Sequence, residues 1–181
     1  ALLERYSKGR SVLNMFCYTG GFSLAALRGG AKLVHSVDSS ARAIELTAGG
    51  VEDNFPGDSR HAAFAEDAFK FLDRMDPIYD LIILDPPAFA KHKDALKHAL
   101  IGYRRLKQKA MEKILPGGIL FTFSCSQVVS KDQFRTAVFT AAAQAGRSVK
   151  ILYQLHQPAD HPINIFHPEG EYLKGLVLSV E

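Results

Sequence analysis

The sequence predicts an α/β fold with one mostly parallel, doubly wound sheet of about seven strands, the last of them antiparallel. Short apolar runs alternate with segments of helical periodicity along most of the chain. Several of these runs end in an acid or a turn-forming cluster, as strands that lead into helices do. Two late apolar runs have no helix between them and indicate an antiparallel pair at one sheet edge. We therefore expect functional residues at the carboxyl ends of the parallel strands.

The predicted strands and helices are bounded by turn-forming or capping residues. The first strand ends at the turn CYTGG, the second ends in Asp38, and the fourth (YDLIIL) is apolar enough for burial on both faces. Ser39 or Ser40 caps the second helix, the segment PGG ends the fourth, and Gly146 ends the fifth. The strands are predicted at 11–16, 32–38, 61–66, 79–84, 119–123, 149–156 and 172–180. The helices are predicted at 22–27, 40–53, 68–75, 94–115 and 131–145.

Two consecutive glycines, Gly49 and Gly50, fall inside the second predicted helix. Each would cost about 1 kcal/mol relative to alanine in a helix interior. We therefore expect that this helix breaks early or that a neighbour packs closely against it.

The composition describes one compact domain that needs neither a metal nor a disulfide to fold. The chain has 181 residues, of which 47% are apolar and 23% charged, which excludes disordered, collagen-like and coiled-coil proteins. Residues 1–10 are too polar and too short for a signal peptide, and no apolar run reaches about 18 residues, so a cytoplasmic protein is expected. Cys17 and Cys125 are too few for a zinc quartet, so no metal site is predicted.

Basic residues concentrate between Lys91 and Lys113 although the formal net charge is only +3. The cluster consists of Lys91, Lys93, Lys97, Arg104, Arg105, Lys107, Lys109 and Lys113, with His92 and His98 interleaved. Such a density suits a phosphate backbone, because each neutralised phosphate releases counterions. A solvated helix face is an equally weighted alternative.

The first strand-to-helix turn indicates a nucleoside cofactor. It lacks the three-glycine spacing that grips a pyrophosphate, while Asp38 is placed to accept ribose hydroxyls and Asp67 to accept an adenine amino group. This pattern suits S-adenosylmethionine better than a nicotinamide dinucleotide; the alternative is that Asp38 merely caps the next helix. The candidate cofactor residues are Asn14, Phe16, Thr19, Gly20, Gly21, Asp38, Asp67, Ala68 and Asp85.

Four segments together closely resemble one family: VLNMFCYTGGF at 12–22, DPPAFAK at 85–91, FTFSCS at 121–126 and DHPINIFHPEGEYLKG at 160–175. The family is that of the bacterial large-subunit ribosomal RNA cytosine-C5 methyltransferases, and the resemblance to its catalytic domain spans essentially the whole chain. It implies a Rossmann-like class I methyltransferase fold that uses S-adenosylmethionine. Family members also carry an N-terminal RNA-binding PUA domain and a connecting domain. Neither is in these 181 residues, so we expect a single catalytic domain from a longer protein whose upstream residues help to close the cofactor pocket.

C5 of cytosine is a poor nucleophile, so an enzyme that methylates it must first add a thiolate to C6. The resemblance assigns that role to Cys125, and the alternative is a small buried hydrophobic residue. Asp85 is expected to hold the N3 and N4 edge of the base. Relatives with two cysteines carry the second at the position of Pro87, so the C5 proton must leave to another base, with Asp85 acting through a water as one option.

The remaining motif residues receive weaker assignments. Phe89 is expected either to stack on the base or to plug the core, and Cys17 is interpreted as packing. The candidate substrate-binding residues are Pro86, Pro87, Phe89, Lys91, Lys93 and Arg104. The family signature at Asp160, His161, Glu169, Tyr172 and Lys174 predicts no chemistry from its spacing.

Ribosomal RNA is the expected partner, a membrane is not, and a homodimer is left open. One rival is a methyltransferase of the same fold acting on a guanine ring nitrogen, which needs no cysteine. Another is a module that binds cofactor and RNA without catalysis. A dehydrogenase is a third, and it is excluded if the protein binds S-adenosylhomocysteine and ignores nicotinamide dinucleotides.

Overall fold

The computed structural model describes residues 2–89, 93–167 and 170–181. The strands are β1 (Ser11–Met15), β2 (Leu33–Asp38), β3 (His61–Ala65), β4 (Leu81–Leu84), β5 (Gly118–Ser124), β6 (Val149–Leu155) and β7 (Lys174–Val180). The α-helices are α1 (Leu2–Ser7), α2 (Gly21–Arg28), α3 (Ala41–Asn54), α4 (Ala68–Arg74), α5 (Leu96–Lys113) and α6 (Lys131–Gln144). A short 3-10 turn, Lys93–Ala95, precedes α5.

All seven strands form one sheet in the order β3-β2-β1-β4-β5-β7-β6. The first five in this order pair in parallel, and β7 pairs antiparallel with both β5 and β6. The predicted fold class is therefore confirmed. The insertion of β7 between β5 and β6 places the start of β7 next to the end of β5.

The core lies on both faces of the sheet. Along β4 all four side chains are buried, with Ile82 and Leu84 in the cluster that α4, α5 and α6 cover, and Leu81 and Ile83 in the cluster on the opposite face. The expectation that this strand is buried on both sides is thus correct. None of the described helices is long and apolar enough to cross a membrane.

Helix α3 runs without interruption through its two glycines to Asn54. A Cβ atom at Gly49 would meet nothing within 4 Å, and one at Gly50 would reach only Leu24 Cδ1 at 4.0 Å. The expected early break is therefore wrong, and no close neighbour requires either glycine. The helix begins at the predicted serine cap, since the Ser40 side chain accepts a hydrogen bond from the Ala43 N–H.

Candidate active site

The loop from β1 to α2 is held in an unusual backbone conformation. Phe16 and Tyr18 have φ angles of 60° and 47°, which non-glycine residues rarely adopt. Gly20 has a φ of 83°, and a Cβ atom there would lie 2.7 Å from Thr47 Cγ2. Thr47 in turn donates to the Tyr18 carbonyl at 2.9 Å. Helix α3 thus holds the loop through Thr47. Strained backbone of this kind concentrates at ligand sites.

Asp38 ties the end of β2 to this loop. Its carboxylate accepts the Tyr18 N–H at 3.1 Å and the Ser40 N–H at 2.9 Å. Because Ser40 supplies the side-chain cap of α3, the alternative in which Asp38 serves as the cap is wrong. The carboxylate stands fixed beside the glycine turn, where a ribose could reach it.

Asp67 is the N-cap residue of α4, a role that was not expected for it. One of its carboxylate oxygens accepts the N–H groups of Phe69 and Lys70, both at 3.0 Å, and so caps α4. The side chain is exposed at the carboxyl end of β3, and Ala68 beside it is buried. Both capping hydrogen bonds go to Oδ1, so Oδ2 of Asp67 takes no part in the cap.

Asn14 does not face a ligand as its grouping with the cofactor residues implied. It is fully buried in β1 and donates to Ser23 Oγ at 2.8 Å. The network continues from Ser23 to Ser36 at 2.6 Å and from Ser36 to His61 at 2.8 Å. Because Asn14 is inaccessible, the expectation that it contacts the cofactor directly is wrong. Its amide instead binds α2 through Ser23.

The carboxyl ends of β4 and β5 bring Asp85 and Cys125 together. These strands pair in parallel, Asp85 follows β4 directly and Cys125 follows β5 directly. Cys125 Sγ lies 3.9 Å from the carbonyl oxygen of Pro86. Burial raises the pKa of Asp85 to about 6. Burial first, and then the charge of Asp85, raise the pKa of the Cys125 thiol.

Tyr103 on α5 holds the loop after β4, and sequence reasoning missed it. Its hydroxyl accepts the Phe89 N–H at 3.3 Å and donates to the Pro87 carbonyl at 3.4 Å. The rings of Tyr103 and Phe89 stack at 4.5 Å, and Gly102 lies against the same phenyl ring. This arrangement favours the core-plug interpretation of Phe89 over base stacking. The helical spacing of Ala99, Tyr103 and Leu106 was the available signal.

The basic cluster is not one phosphate-facing surface. Lys107 is fully buried, with Nζ 4.7 Å from the ring centroids of both Tyr103 and Phe134, and burial lowers its pKa to about 7. Lys109 forms an ion pair with Asp73, and Lys113 donates to the Met75 carbonyl. Lys107 therefore fits neither a phosphate-binding surface nor the alternative of a solvated helix face, and Lys109 and Lys113 already have partners within the fold.

The other members of the cluster differ in their surroundings. Lys97 and Arg105 are exposed on α5. Arg104 borders a groove between α5 and α6, away from Asp85, with its Nε buried and unpaired within the described part of the chain. Lys91, like the side chain of Lys93, lies outside the described residues.

A cleft of about 430 Å³ opens beside Asp85. Phe22 and Phe123 form part of its wall, and their rings stack at 5.7 Å with an interplanar angle of 10°. His156 and Lys174 add polar groups to the lining. A mostly apolar cleft with a few convergent polar groups is typical of a small-molecule or base site. Among the described residues, no group of three or more potential ligands could hold a metal ion.

Comparisons with known proteins show the family to which the chain belongs. A model of the S-adenosylmethionine-dependent methyltransferase family matches residues 2–174. The protein named ribosomal RNA large subunit methyltransferase I is 45% identical in Pseudoalteromonas translucida and 43% in Shewanella denitrificans, over 99% of this chain and 46% of each relative. The chain thus spans about half the length of these relatives.

A solved methyltransferase, SMU.776 complexed with SAH, is also similar. It superposes with a TM-score of 0.85 at 26% identity, over 98% of this chain and 47% of that one. The expected cofactor is confirmed by the family match and by this neighbour. Because the family model matches residues 2–174, the chain belongs to the S-adenosylmethionine-dependent methyltransferase family, with S-adenosylmethionine as its cofactor.

Proposed function

We propose that the 181 residues form one catalytic domain that methylates C5 of a cytosine in large-subunit ribosomal RNA, in the cytoplasm. The names of the relatives support the RNA class. One observation carries the chemistry: a partly accessible thiol, Cys125, lies at the carboxyl edge of the sheet beside Asp85 and 3.9 Å from the Pro86 carbonyl. Methylation of C5 requires a thiol at this place, whereas methylation of a ring nitrogen does not require one.

The cofactor fits the loop that follows β1. The left-handed turn at 16–20 presents backbone to a ligand, and Gly20 could not carry a side chain there because of Thr47. Asp38 would receive the ribose hydroxyls, and the free oxygen of Asp67 the adenine amino group. S-adenosylmethionine supplies an electrophilic methyl group when bound.

The residues of this chain act on the base. The Cys125 thiolate forms a bond to C6 while Asp85 gives its proton to N3, so the electron pair of the C5–C6 double bond becomes nucleophilic at C5. After C5 has gained its methyl group, the Asp85 carboxylate accepts the C5 proton through a water. The C5–C6 double bond then reforms, the S–C6 bond breaks to release the thiolate, and N3 loses its proton to solvent. A pKa of about 6 suits a group that gives and takes protons near neutral pH.

The target base must leave its stack, because C6 cannot be attacked inside a helix. The cleft beside Asp85 is lined by Phe22 and Phe123, whose rings pack against each other, and a mostly apolar cleft of this kind suits a flipped base. Exposed Lys97 and Arg105 on α5 would contact phosphates, together with Lys91 and Lys93.

A trapping experiment tests the proposal. The protein is incubated with S-adenosylmethionine and ribosomal RNA that contains 5-fluorocytidine, and a denaturation-resistant adduct is mapped by mass spectrometry. Because fluorine cannot leave C5 as a proton, the covalent intermediate should accumulate at Cys125. The peptide that contains Cys17 is the internal control, since that thiol is buried against Thr47 and should carry no adduct.

Three results would contradict the proposal. No adduct from protein shown to bind S-adenosylhomocysteine and RNA would remove Cys125 as the nucleophile. Methyl transfer that persists in Cys125→Ala would favour reaction at a guanine ring nitrogen. RNA binding with no methyl transfer at any protein concentration would instead favour the non-catalytic module.

A further inference from the structure

Lys174 is an almost buried lysine next to the candidate nucleophile. It is the first residue of β7 and pairs with Ser124, the residue that precedes Cys125. Only 7% of its surface is exposed. Its Nζ donates to the carbonyl oxygens of Ser126 and Val129, each at 2.7 Å. One ammonium group therefore bonds both ends of the turn from Ser126 to Val129, which directly follows Cys125.

The thiol needs a nearby positive charge. A nucleophilic cysteine reacts as its thiolate, and both burial and the carboxylate of Asp85 disfavour that form. Among the described residues, the titratable groups that interact with Cys125 are Asp85 after β4, Tyr103 on α5 and Lys174 on β7. Backbone hydrogen bonds from Cys125 and Ala88 lower the pKa of the thiol, and Lys174, the cation among these groups, lowers it further through its charge.

The ammonium is built to stay charged in spite of its burial. Burial lowers the pKa of Lys174, but the two carbonyl oxygens accept hydrogen bonds from it, which favours the charged form. Its other charged neighbours, Lys131 and Glu171, act in opposite directions and form an ion pair with each other. The effects of these two neighbours on Lys174 therefore oppose each other.

We propose that Lys174 is a positioning residue of the methyl-transfer reaction: it fixes the turn after β5 so that Cys125 faces Asp85, and its charge favours the thiolate. This inference rests on the proposed function, in which Cys125 is the nucleophile. It gives a task to the signature lysine, for which the sequence spacing predicted none.

The test measures the rate at which iodoacetamide alkylates Cys125 as a function of pH, resolved by peptide mass spectrometry. In Lys174→Met the midpoint of this profile should rise by about one pH unit, a roughly tenfold loss of thiolate at a fixed pH below the midpoint. Lys174→Arg keeps the charge and should restore most of the reactivity. Lys150→Met, at an exposed lysine on β6 that does not bond the turn after Cys125, should leave the profile unchanged.

A folded Lys174→Met protein with the parental midpoint would overturn the inference. If that variant does not fold, the same coupling is measured from its other end in Cys125→Ser by NMR titration of the lysine Cε–H signals. Removal of the thiol should lower the pKa of Lys174, because coupling between two titrating groups is reciprocal, and an unchanged pKa would also overturn the inference. Alkylation needs neither RNA nor cofactor, so its result is independent of the 5-fluorocytidine adduct that tests the proposed function.

Discussion

Asp85 is a site residue whose burial lowers the stability of the folded protein at neutral pH. Its carboxyl group is partly buried, and burial raises its pKa from 3.8 to about 6. The folded state therefore holds this proton more tightly than the unfolded state does between these two values. Stability from the protonated form is present at low pH and is lost as the pH rises through 6.

Asp85→Asn should separate stability from function. We expect the free energy of unfolding at pH 7.5 to rise by at most about 3 kcal/mol, because the shift of the pKa is removed. Methyl transfer should fall at least about 100-fold, the smaller end of the range for a lost acid-base group. Urea denaturation at pH 7.5 and pH 4 checks the first expectation, and the gain should vanish at the lower pH.

The control for this change is Asp160→Asn, an exposed aspartate in the segment between β6 and β7. It should alter stability little at either pH. An Asp85→Asn protein no more stable at pH 7.5 than at pH 4, relative to the parent, would show that burial does not disfavour the carboxylate.

At the scale of elements, α3 contains two glycines that its surroundings do not require. A Cβ atom at Gly49 would point into open space, whereas one at Gly20, in the loop above, would collide with Thr47. Gly20 is therefore required by the close approach of Thr47, whereas Gly49 only weakens its helix.

Gly49→Ala should raise the free energy of unfolding by about 1 kcal/mol, since alanine loses less backbone entropy in a helix. Thermal and urea unfolding measure the change, and binding of S-adenosylhomocysteine should be unaffected. Gly20→Ala is the matched contrast and should lower both stability and binding. A destabilised Gly49→Ala protein would mean that an unrecognised neighbour covers that face of α3.

The sequence predicted most elements because their boundaries have local causes. The predicted strand at 61–66 and the observed β3, His61–Ala65, differ by one residue, since turn-forming residues bound the apolar run. The placement of β7 between β5 and β6 could not be predicted, because it depends on pairing between distant segments. Lys107 misled for another reason: a lysine within a basic run is normally exposed, and here the ring faces of Tyr103 and Phe134 enclose it.

Over the whole molecule, the useful positive charge is smaller than the sequence suggests. The formal net charge is +3, and within the predicted basic cluster Lys107 is buried while Lys109 is paired with Asp73. Binding of RNA by this face would therefore rely on exposed side chains such as Lys97 and Arg105.

Each of Lys97→Ala and Arg105→Ala should reduce the slope of log K against log salt by somewhat less than one, because each lost phosphate contact retains a counterion. Filter binding at several salt concentrations measures that slope. Lys107→Met is the control from the same stretch of sequence: it removes a formal charge that phosphate cannot reach. An equal effect of all three changes would show that net charge alone governs binding.

The position of β7 also sets the order in which the site is completed during synthesis. Cys125 and Asp85 leave the ribosome before β6, yet β6 finds its neighbour in the sheet only when β7 has been made and has paired with β5. Lys174 arrives with that strand. A growing chain therefore carries its thiol for some fifty residues without the ammonium that anchors the turn around it. We expect that cysteine to gain its full reactivity only when the last strand of the sheet is in place.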